Sequence, residues 1–371
     1  MIVYAIILII TTAYVAVIIA FYIGLIKVLS TQTNTSAEKI KLSVVVAFRN
    51  EEKNLPILLD SLLMQTISSD LYELILVNDH STDGSLVVAQ TYKDRFRNLT
   101  VITSFRKAKG KKTALLCGID VAQYPIIVFT DADCIPANTW LESLSSKFSD
   151  NVDFTLGTVL LSPINGFVRK IQSLEYSSLM ATAAGSCGIG RAVIASSANL
   201  AFKRNLLNVN SNSLQGNISS GDDMFLLHSA KKRTGCKIDF LNDNNAIVHT
   251  STESTLGLAL RQRKRWASKS IYYKDFDTIF TSIVVFAFNF MLFGLVIASF
   301  FLIKYFMIFL CLLCAKSLVD FLLLNRFLRF TKQEELMKVF IPLQLLYPLY
   351  VVYTFFSGVI FKTTWKGRRI K

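Results

Sequence analysis

Apolar residues are concentrated in two blocks of this chain, at residues 2–28 and from about residue 278 onward. A run of this length with almost no charge is typical of a membrane-spanning helix. The two blocks explain why 52% of the chain is hydrophobic and why the mean hydropathy is +0.44. Between them lies a stretch of ordinary polarity, about 240 residues long, which is enough to bury a core of its own. The sequence therefore predicts an anchor, a globular domain and a membrane domain.

The first apolar block carries the signal for orientation. Lys27 is the only charge between Ile2 and Leu29, and Lys39 and Lys41 follow. A signal peptide would begin with a basic segment and have a shorter apolar core. Because Lys and Arg collect on the cytosolic side of a span, we expect residues 1–29 to be a transmembrane anchor with an external N-terminus. The chain is then expected to be an integral membrane protein, in the cell membrane, with its globular domain in the cytosol.

The second apolar block predicts two spans, Ile279–Ile303 and Tyr305–Leu324, joined by a tight turn. The basic segment Asn325–Glu335 is expected to be a cytosolic loop. A further apolar run, Val339–Phe361, either spans the membrane or is re-entrant. A span is favoured, although it would place the basic tail outside, against the positive-inside rule. Residues 277–371 are thus predicted to form a membrane domain of two or three spans with a basic tail.

The net charge of +14 raises the question of nucleic-acid binding. Basic flanks of membrane spans explain the charge more simply, and the sequence has no zinc finger or RNA-binding aromatic signature. We therefore expect no nucleic-acid partner. The six cysteines form no disulfide framework, and Cys311 and Cys314 lie in an apolar run, where two small residues on one helix face are expected.

The middle stretch alternates short apolar, β-branched runs with segments of helical periodicity. Strands are predicted at Leu42–Phe48, Glu73–Asp79, Leu99–Thr103 and Ile126–Asp131. This alternation predicts an α/β fold, Rossmann-like, with a mostly parallel sheet covered by helices on both faces. Ligands of such sheets bind at the carboxyl ends of the strands.

Acidic residues follow these strand ends. Asp79 closes the second strand, Asp131 and Asp133 close the fourth, and Asn50 and Glu51 lie in the turn after the first. One such carboxylate would equally well cap the next helix, but several at one edge indicate a ligand site. The D-x-D of Asp131 and Asp133 offers the hard oxygen ligands that Mg²⁺ or Mn²⁺ shares with phosphates. A metal held there would neutralise a leaving diphosphate.

Seven motifs follow one another along the chain. They are VVVAFRNEEKNL (Val44–Leu55), VNDHSTDGS (Val77–Ser85), GKKTAL (Gly110–Leu115), TDADCIP (Thr130–Pro136), SSANLAFKR (Ser196–Arg204), GDDMFL (Gly221–Leu226) and QRKRW (Gln262–Trp266). Their order, followed by membrane spans, resembles the membrane-bound family-2 glycosyltransferases. This group includes cellulose, chitin, hyaluronan and poly-N-acetylglucosamine synthases and ceramide glucosyltransferases. The resemblance implies a GT-A catalytic domain at residues 40–252 and an amphipathic interface segment at residues 253–276.

The resemblance also implies roles on the donor side. Substrate binding is implied for Asn50, Glu51, Asp79, Lys111 and Asp131. Asp133 and Asp131 would hold the Mg²⁺ or Mn²⁺ ion, with Asp133 as the more direct ligand. The nucleotide sugar implied by the resemblance is a UDP-sugar.

On the acceptor side, Asp223 matches the family's general base, which takes the proton of the attacking hydroxyl, and Asp222 supports it. An acidic pair at a helix N-terminus would also stabilise the helix dipole. The Q-x-x-R-W motif contributes Gln262, Arg265 and Trp266, with Arg265 at the diphosphate and Trp266 stacked on the acceptor. A basic, aromatic helix on the membrane surface would have the same residues, and one helix can lie at the membrane surface and also contribute to the active site.

The reaction that the resemblance implies is an inverting transfer to a membrane lipid or a lipid-linked glycan. A processive polysaccharide synthase subunit is the alternative, since Q-x-x-R-W occurs in both groups. An inactive scaffold is a weaker alternative, and an envelope-complex partner or a homo-oligomer would be compatible with either. Transport alone is not favoured. A transport path would be expected to carry charged residues deep in the spans, and the sequence places only Lys316 and Asp320 there, spaced to pair with each other on one helix face. Ser197 departs from the family pattern, which often has glycine there.

Overall fold

The computed structural model describes residues 1–31, 39–106, 110–149, 151–206, 221–360, 363–365 and 368–370. The chain divides into two compact units, each assembled from separate segments. The helical unit comprises Met1–Ser30, Pro163–Ile194 and Thr252–Thr363, and the sheet unit comprises Thr31–Ser162, Ala195–Ser251 and Thr364–Lys371. Residues 163–194, which lie inside the expected catalytic range of 40–252, therefore group with the apolar helices.

The elements are numbered in chain order. The helices are α1 (Ile2–Ser30), α2 (Leu55–Leu63), α3 (Ser85–Thr91), α4 (Lys111–Val121), α5 (Trp140–Ser149), α6 (Phe167–Gly188), α7 (Asp222–Lys231), α8 (Leu256–Ala267), α9 (Phe276–Ser299), α10 (Ile303–Phe330) and α11 (Phe340–Ile360). The strands are β1 (Leu42–Phe48), β2 (Tyr72–Asn78), β3 (Leu99–Thr103), β4 (Ile126–Phe129), β5 (Cys134–Pro136), β6 (Phe154–Gly157), β7 (Val159–Ser162), β8 (Leu200–Lys203), β9 (Ile238–Leu241), β10 (Val248–Ser251), β11 (Thr363–Trp365) and β12 (Arg368–Ile370).

The main sheet of the sheet unit has the strand order β3-β2-β1-β4-β8-β6-β9. The four strands predicted from the sequence are parallel neighbours, with Phe48 opposite Asn78 and Val45 opposite Phe129. The predicted α/β fold with a mostly parallel sheet is confirmed. The inner strands are buried, as expected for apolar runs covered on both faces.

Strand β8 runs antiparallel to both of its neighbours, and Leu200 lies opposite Phe129. Because β4 ends where β8 begins, the segment that enters β8 lies at the same sheet edge as the carboxyl end of β4. A second sheet, of order β5-β10-β7, begins just after this edge. The N–H of Cys134 in β5 donates to the carbonyl of Asp131 at 3.1 Å and so closes a tight turn around the D-x-D residues.

Four segments of the helical unit, counted among the residues that the structure describes, are long and apolar enough to cross a membrane. They are α1, α9, α10 and the stretch Glu334–Ile360, which contains α11. The expected loop at Asn325–Glu335 is wrong in its first half, because α10 continues to Phe330. Its last turns are amphipathic, with Phe327 and Leu328 buried while Arg326 and Arg329 face solvent, so the arginines do not end the helix.

A buried polar cluster joins three of these helices. Lys316 donates to Asp320 at 2.6 Å, one turn along α10, so the predicted pair is confirmed. Lys316 also donates to Gln344 of α11 at 2.5 Å, and the hydroxyl of Tyr14 in α1 donates to Asp320 at 2.8 Å. Each charge thus has a partner, as an ionisable group inside apolar helices requires.

Helices α1 and α6 cross at glycines. A Cβ atom built on Gly24 would lie 2.0 Å from the carbonyl oxygen of Gly185, and one on Gly185 would lie 2.2 Å from that of Phe21. Distances this short leave no room for a methyl group between the two backbones. Small residues permit such close helix contacts in membrane proteins.

We expect Gly185→Ala to lower the melting temperature of the chain, since the added methyl group would force α1 and α6 apart. Overpacking of this kind costs about 1–3 kcal/mol. Gly294→Ala in α9 is the matched control, because a Cβ atom there meets nothing within 4 Å. Thermal unfolding of both variants in lipid nanodiscs measures the difference. Equal melting temperatures would show that the α1–α6 crossing is not tight.

Candidate active site

The side chain of Asp79 follows β2 and is almost fully buried at the carboxyl edge of the sheet. Its backbone N–H donates to the carbonyl of Phe48, the last residue of β1, at 2.8 Å. One carboxylate oxygen accepts from the N–H of Gly110 at 3.0 Å. Asp79 therefore ties the end of β1, which is followed by Asn50 and Glu51, to the start of α4, where Lys111 lies.

The turn after β1 lies at the same edge. Asn50 has a φ of 52°, and its side-chain oxygen accepts from the N–H of Thr82 at 2.9 Å. Glu51 accepts from the side-chain amide of Asn54 at 2.7 Å. The structure thus brings Asn50 and Glu51 to the edge where Asp79 lies, and hydrogen bonds within the loops orient both side chains.

Lys111 is the central cation of the site. Its ammonium donates to Asp131 at 2.5 Å and to the hydroxyl of Ser197 at 2.7 Å, and it lies 3.9 Å from Asp222. Burial disfavours the charged form, but the carboxylates of Asp131 and Asp222 outweigh it and raise the pKa of Lys111. Lys111 is therefore a permanent positive charge between two carboxylates.

Asp223 lies at the N-terminus of α7. One of its carboxylate oxygens accepts from the N–H of Met224 at 2.8 Å, and the other accepts from the N–H of Ser197 at 3.4 Å. Burial, and then repulsion from Asp222, raise the pKa of Asp223 to about 6. Asp222 is only 3% exposed, whereas Asp223 is half-buried. Of the two carboxylates, Asp223 is thus the more accessible to a substrate and is poised to exchange a proton near neutral pH.

Asp133 lies beside Asp131 in the turn between β4 and β5. Desolvation by the surrounding protein, and then the charges of Asp131 and Glu51, raise the pKa of Asp133 to about 6. Its side chain still reaches solvent. A divalent cation would relieve this repulsion and would find hard oxygen ligands, so the residues fit Mg²⁺ or Mn²⁺. Among the described residues, no group of three or more His, Cys, Asp or Glu side chains is placed to hold a metal ion.

Ser197 was noted in the sequence only as a departure from the family pattern. In the structure its hydroxyl contacts Lys111, and its N–H contacts Asp223. It reaches both because β8 is antiparallel and begins beside the end of β4. Asn199 holds this segment in place, since its amide nitrogen donates to the carbonyls of Thr158 and Ala246. A strand that runs against its neighbours has no clear sequence signal, so Ser197 was not predicted.

Lys112 follows Lys111 and was also not predicted. It is buried, and it lies 5.8 Å from the ring of Phe225 in α7. Burial lowers the pKa of Lys112 to about 8. Among the polar atoms of the described side chains, its Nζ is one of the few buried ones with no hydrogen-bond partner. Lys112 adds a second cation beside Asp222, whose charge opposes the lowering of its pKa.

The Q-x-x-R-W residues lie on α8 of the helical unit. Gln262 donates to Glu253 at 3.3 Å, and Arg265 is half-buried. The guanidinium of Arg263 lies over the ring of Trp266 at 4.2 Å and donates to Glu175 at 2.5 Å and 2.8 Å. Arg263 is 8% exposed and was not singled out in the sequence, because its role depends on a partner 88 residues away. In the helical unit, Trp266 therefore packs against Arg263, whose charge is neutralised by Glu175 in a buried ion pair.

A family model, glycosyl transferase family 2, matches residues 43–209. Over 128 residues the chain is 34% identical to a poly(ribitol-phosphate) beta-glucosyltransferase of Bacillus spizizenii, covering 34% of this chain and 20% of the relative. It is 34% identical over 143 residues to a dodecaprenyl-phosphate galacturonate synthase of Rhizobium johnstonii, which covers 38% of this chain and 42% of the relative. It is 29% identical over 116 residues to a cholesterol galactosyltransferase of Borreliella burgdorferi, which covers 31% of this chain and 31% of the relative. The chain thus spans less than half the length of each of these relatives.

Among solved structures, the mannosyltransferase PcManGT of Pyrobaculum calidifontis, in complex with GDP-Man and Mn²⁺, matches 96% of this chain and 98% of its own, with a TM-score of 0.56. The sequence identity is 17%, so the match shows a shared fold. The fold is of the GT-A type, with apolar helices flanking the α/β domain.

Proposed function

Because the chain carries a family-2 glycosyltransferase domain, we propose that it transfers a sugar from a nucleotide sugar to a membrane lipid or a lipid-linked glycan, with inversion. One observation carries the proposal: at the carboxyl edge of the sheet, Lys111 donates to Asp131 and to the hydroxyl of Ser197, and the N–H of Ser197 donates to Asp223. This is the edge where α/β sheets bind ligands. Several carboxylates and a lysine meet there, and burial together with repulsion from Asp222 raises the pKa of Asp223 to about 6.

On the donor side, Asp79, Asn50 and Glu51 would bind the nucleoside, which we propose to be uridine. Asp133, with Asp131, would hold Mg²⁺ or Mn²⁺, which supplies charge neutralisation to the leaving diphosphate. Lys111 would add a fixed positive charge at the same place. The structural neighbour in complex with GDP-Man and Mn²⁺ supports a nucleotide sugar and a divalent cation for this fold.

On the acceptor side, the deprotonated carboxylate of Asp223 takes the proton of an acceptor hydroxyl. The hydroxyl oxygen forms its bond to the anomeric carbon as the bond from that carbon to the diphosphate breaks, and the nucleoside diphosphate leaves with the electron pair. Attack from the face opposite the leaving group inverts the anomeric centre. Holding donor and acceptor in line supplies much of the rate. The role of Asp222 would be to keep Lys111 and Asp223 in position.

The acceptor proposal draws on two kinds of support. Four helices of the described chain are apolar enough to cross a membrane, and two relatives are named for dodecaprenyl-phosphate and cholesterol. The relative named for poly(ribitol-phosphate) favours a polymer acceptor as a second candidate. We further propose that residues 40–252 provide the catalytic domain, that the basic flank after α1 places it in the cytosol, and that Gln262, Arg265 and Trp266 take part as their motif implies.

Purified full-length chain in nanodiscs, supplied with labelled UDP- and GDP-sugars in turn, tests the proposal. We expect label from a UDP-sugar in the lipid extract, and slower total consumption of the donor when lipid acceptors are left out. Label in a high-molecular-weight polymer would instead support the second candidate. Neither transfer nor hydrolysis with any donor would contradict a glycosyltransferase function.

A further inference from the structure

The helical unit contains a cavity of about 390 Å³ between α6, α8 and α11. Its wall is built mainly of apolar side chains, among them Phe167, Ile171, Leu256, Leu260, Leu346 and Tyr353. The volume falls in the range of about 300–1,000 Å³ that is usual for small-molecule sites. The donor-binding and catalytic candidates of the sheet unit do not explain this cavity, because no residue of that unit lines it.

The polar side chains at the cavity are already hydrogen-bonded to other groups of the protein. Glu175 accepts from Arg263 with one carboxylate oxygen, at 2.8 Å and 2.5 Å, and from the hydroxyl of Tyr350 with the other, at 3.0 Å. Gln172 donates to the carbonyl of Glu253 at 3.1 Å and accepts from its N–H at the same distance. The charges cancel inside the wall, so the surface offered to a ligand is hydrocarbon. A charged headgroup placed in the cavity would lose its hydration without compensation.

The rim of the cavity opens through apolar side chains that are themselves exposed. Leu256 is 56% exposed and Leu346 is 51% exposed. Leu346 lies on α11, which belongs to a segment apolar enough to cross a membrane, and Leu256 begins α8, which mixes apolar residues with Arg and Lys. An amphipathic helix such as α8, with apolar residues on one side and basic residues on the other, is typical of a membrane surface. A hydrocarbon chain in the bilayer can therefore enter the cavity without crossing water.

We propose that this cavity binds the hydrocarbon chain of the acceptor lipid. The inference rests on the proposed function and deepens it, because it separates the apolar part of the acceptor from the hydroxyl that reacts. The location supports the acceptor over an arbitrary bilayer lipid: the cavity is bounded by Arg263, which lies over the ring of Trp266. Trp266 is the residue to which the motif assigns acceptor stacking. A hydrocarbon chain in the cavity and the ring of Trp266 would thus lie on either side of Arg263 in α8.

Two tryptophan variants of α11 test the cavity. Leu346→Trp places a larger side chain in the wall, whereas Leu345→Trp adds the same bulk outside the lining, at a residue that is 57% exposed. The full-length variants are placed in phosphatidylcholine–phosphatidylglycerol nanodiscs with hexadecanol that bears a diazirine in its chain. Irradiation and mass spectrometry then map the label. We expect wild type and Leu345→Trp to be labelled on α6, α8 or α11, and Leu346→Trp to be labelled about tenfold less, the scale set by a few methylenes in an apolar pocket.

A second readout separates the acceptor from other lipids. The ratio of sugar transfer into lipid to donor hydrolysis should fall about tenfold in Leu346→Trp and stay at the wild-type value in Leu345→Trp. Equal labelling of the two variants would overturn the cavity as a hydrocarbon site. Loss of the label in Leu346→Trp with an unchanged ratio would overturn the acceptor assignment, since the cavity would then hold a structural bilayer lipid. A wild-type chain that binds the probe but uses no donor would instead overturn the proposed function itself.

Discussion

Asp223→Asn should lower the rate of sugar transfer by about 10²–10⁴-fold, the usual contribution of a general base. Asn keeps the shape of the side chain and can still accept from the N–H groups of Met224 and Ser197, which contact the carboxylate at 2.8 Å and 3.4 Å. It cannot take a proton from a hydroxyl at neutral pH. Donor affinity should change little, because other residues are proposed to hold the nucleotide. Turnover is measured by product formation and donor affinity by calorimetry, on the same preparations.

The neighbouring acid is the matched control. Asp222→Asn should have a milder effect, because Asp222 is 3% exposed and lies 3.9 Å from Lys111, in a supporting position. Loss of turnover in Asp222→Asn with an intact rate in Asp223→Asn would move the base by one residue. Full activity in both variants would contradict the mechanism.

The pH profile gives an independent readout for the same residue. The pKa of Asp223 is raised to about 6 by burial and by Asp222, and the base must be deprotonated to act. Activity should therefore be complete well above pH 6 and fall as the pH drops through about 6. The residual activity of Asp223→Asn should lack the part of this limb that comes from Asp223. An unchanged acidic limb in the variant would assign it to another group.

Removal of the proposed metal ligand should have the second large effect. Asp133→Ala should lower transfer by about a thousandfold or more, since a metal at a leaving diphosphate supplies several kcal/mol and each 1.4 kcal/mol is about tenfold. The pKa of Asp133 is raised first by desolvation and then by the charges of Asp131 and Glu51. A cation bound beside these carboxylates would relieve their repulsion. Calorimetry with a nucleoside diphosphate should show tighter binding with Mn²⁺ in wild type and the same weak binding with or without Mn²⁺ in the variant.

Asp94→Ala is the control for this prediction, because Asp94 is an exposed acid of the sheet unit outside the site. It should leave both transfer and the Mn²⁺ effect at wild-type values. Excess chelator should stop wild-type transfer, and added Mg²⁺ or Mn²⁺ should restore it. Full activity in excess chelator would exclude the metal role of Asp133.

The strand pattern of the sequence predicted the candidate site residues that follow parallel strands, whereas Lys111 and Asp223 were predicted through the resemblance to family-2 glycosyltransferases. Leu42–Phe48 and Leu99–Thr103 are strands with the predicted bounds, and Asp79 and Asp131 follow β2 and β4 at one edge. The parts that it missed depend on distant pairing. Ser197 reaches the acids because β8 is antiparallel to β4, and Arg263 is buried because Glu175 neutralises it.

Helix ends show the same division. The apolar periodicity predicted a helix in α10, but the arginines near its end suggested a loop. In the structure, Leu324 and Leu328 join a cluster with Leu174 and Leu343, so packing extends the helix to Phe330. Tertiary contacts of this kind outweigh local charge, since burial of several leucines stabilises a helix more than its exposed charges perturb it.

By itself, the sequence determined the local properties of the chain: which runs are apolar enough to span a membrane, which alternate as strands and helices, and which acids follow strand ends. These depend on residues close together in the chain, through hydrophobic periodicity and the direction of parallel strands. The tertiary structure alone decided which distant side chains meet. Lys111 contacts Ser197, 86 residues later, and the cavity draws its wall from α6, α8 and α11. Such contacts are selected by the total free energy of packing, to which every element contributes, so no single segment encodes them.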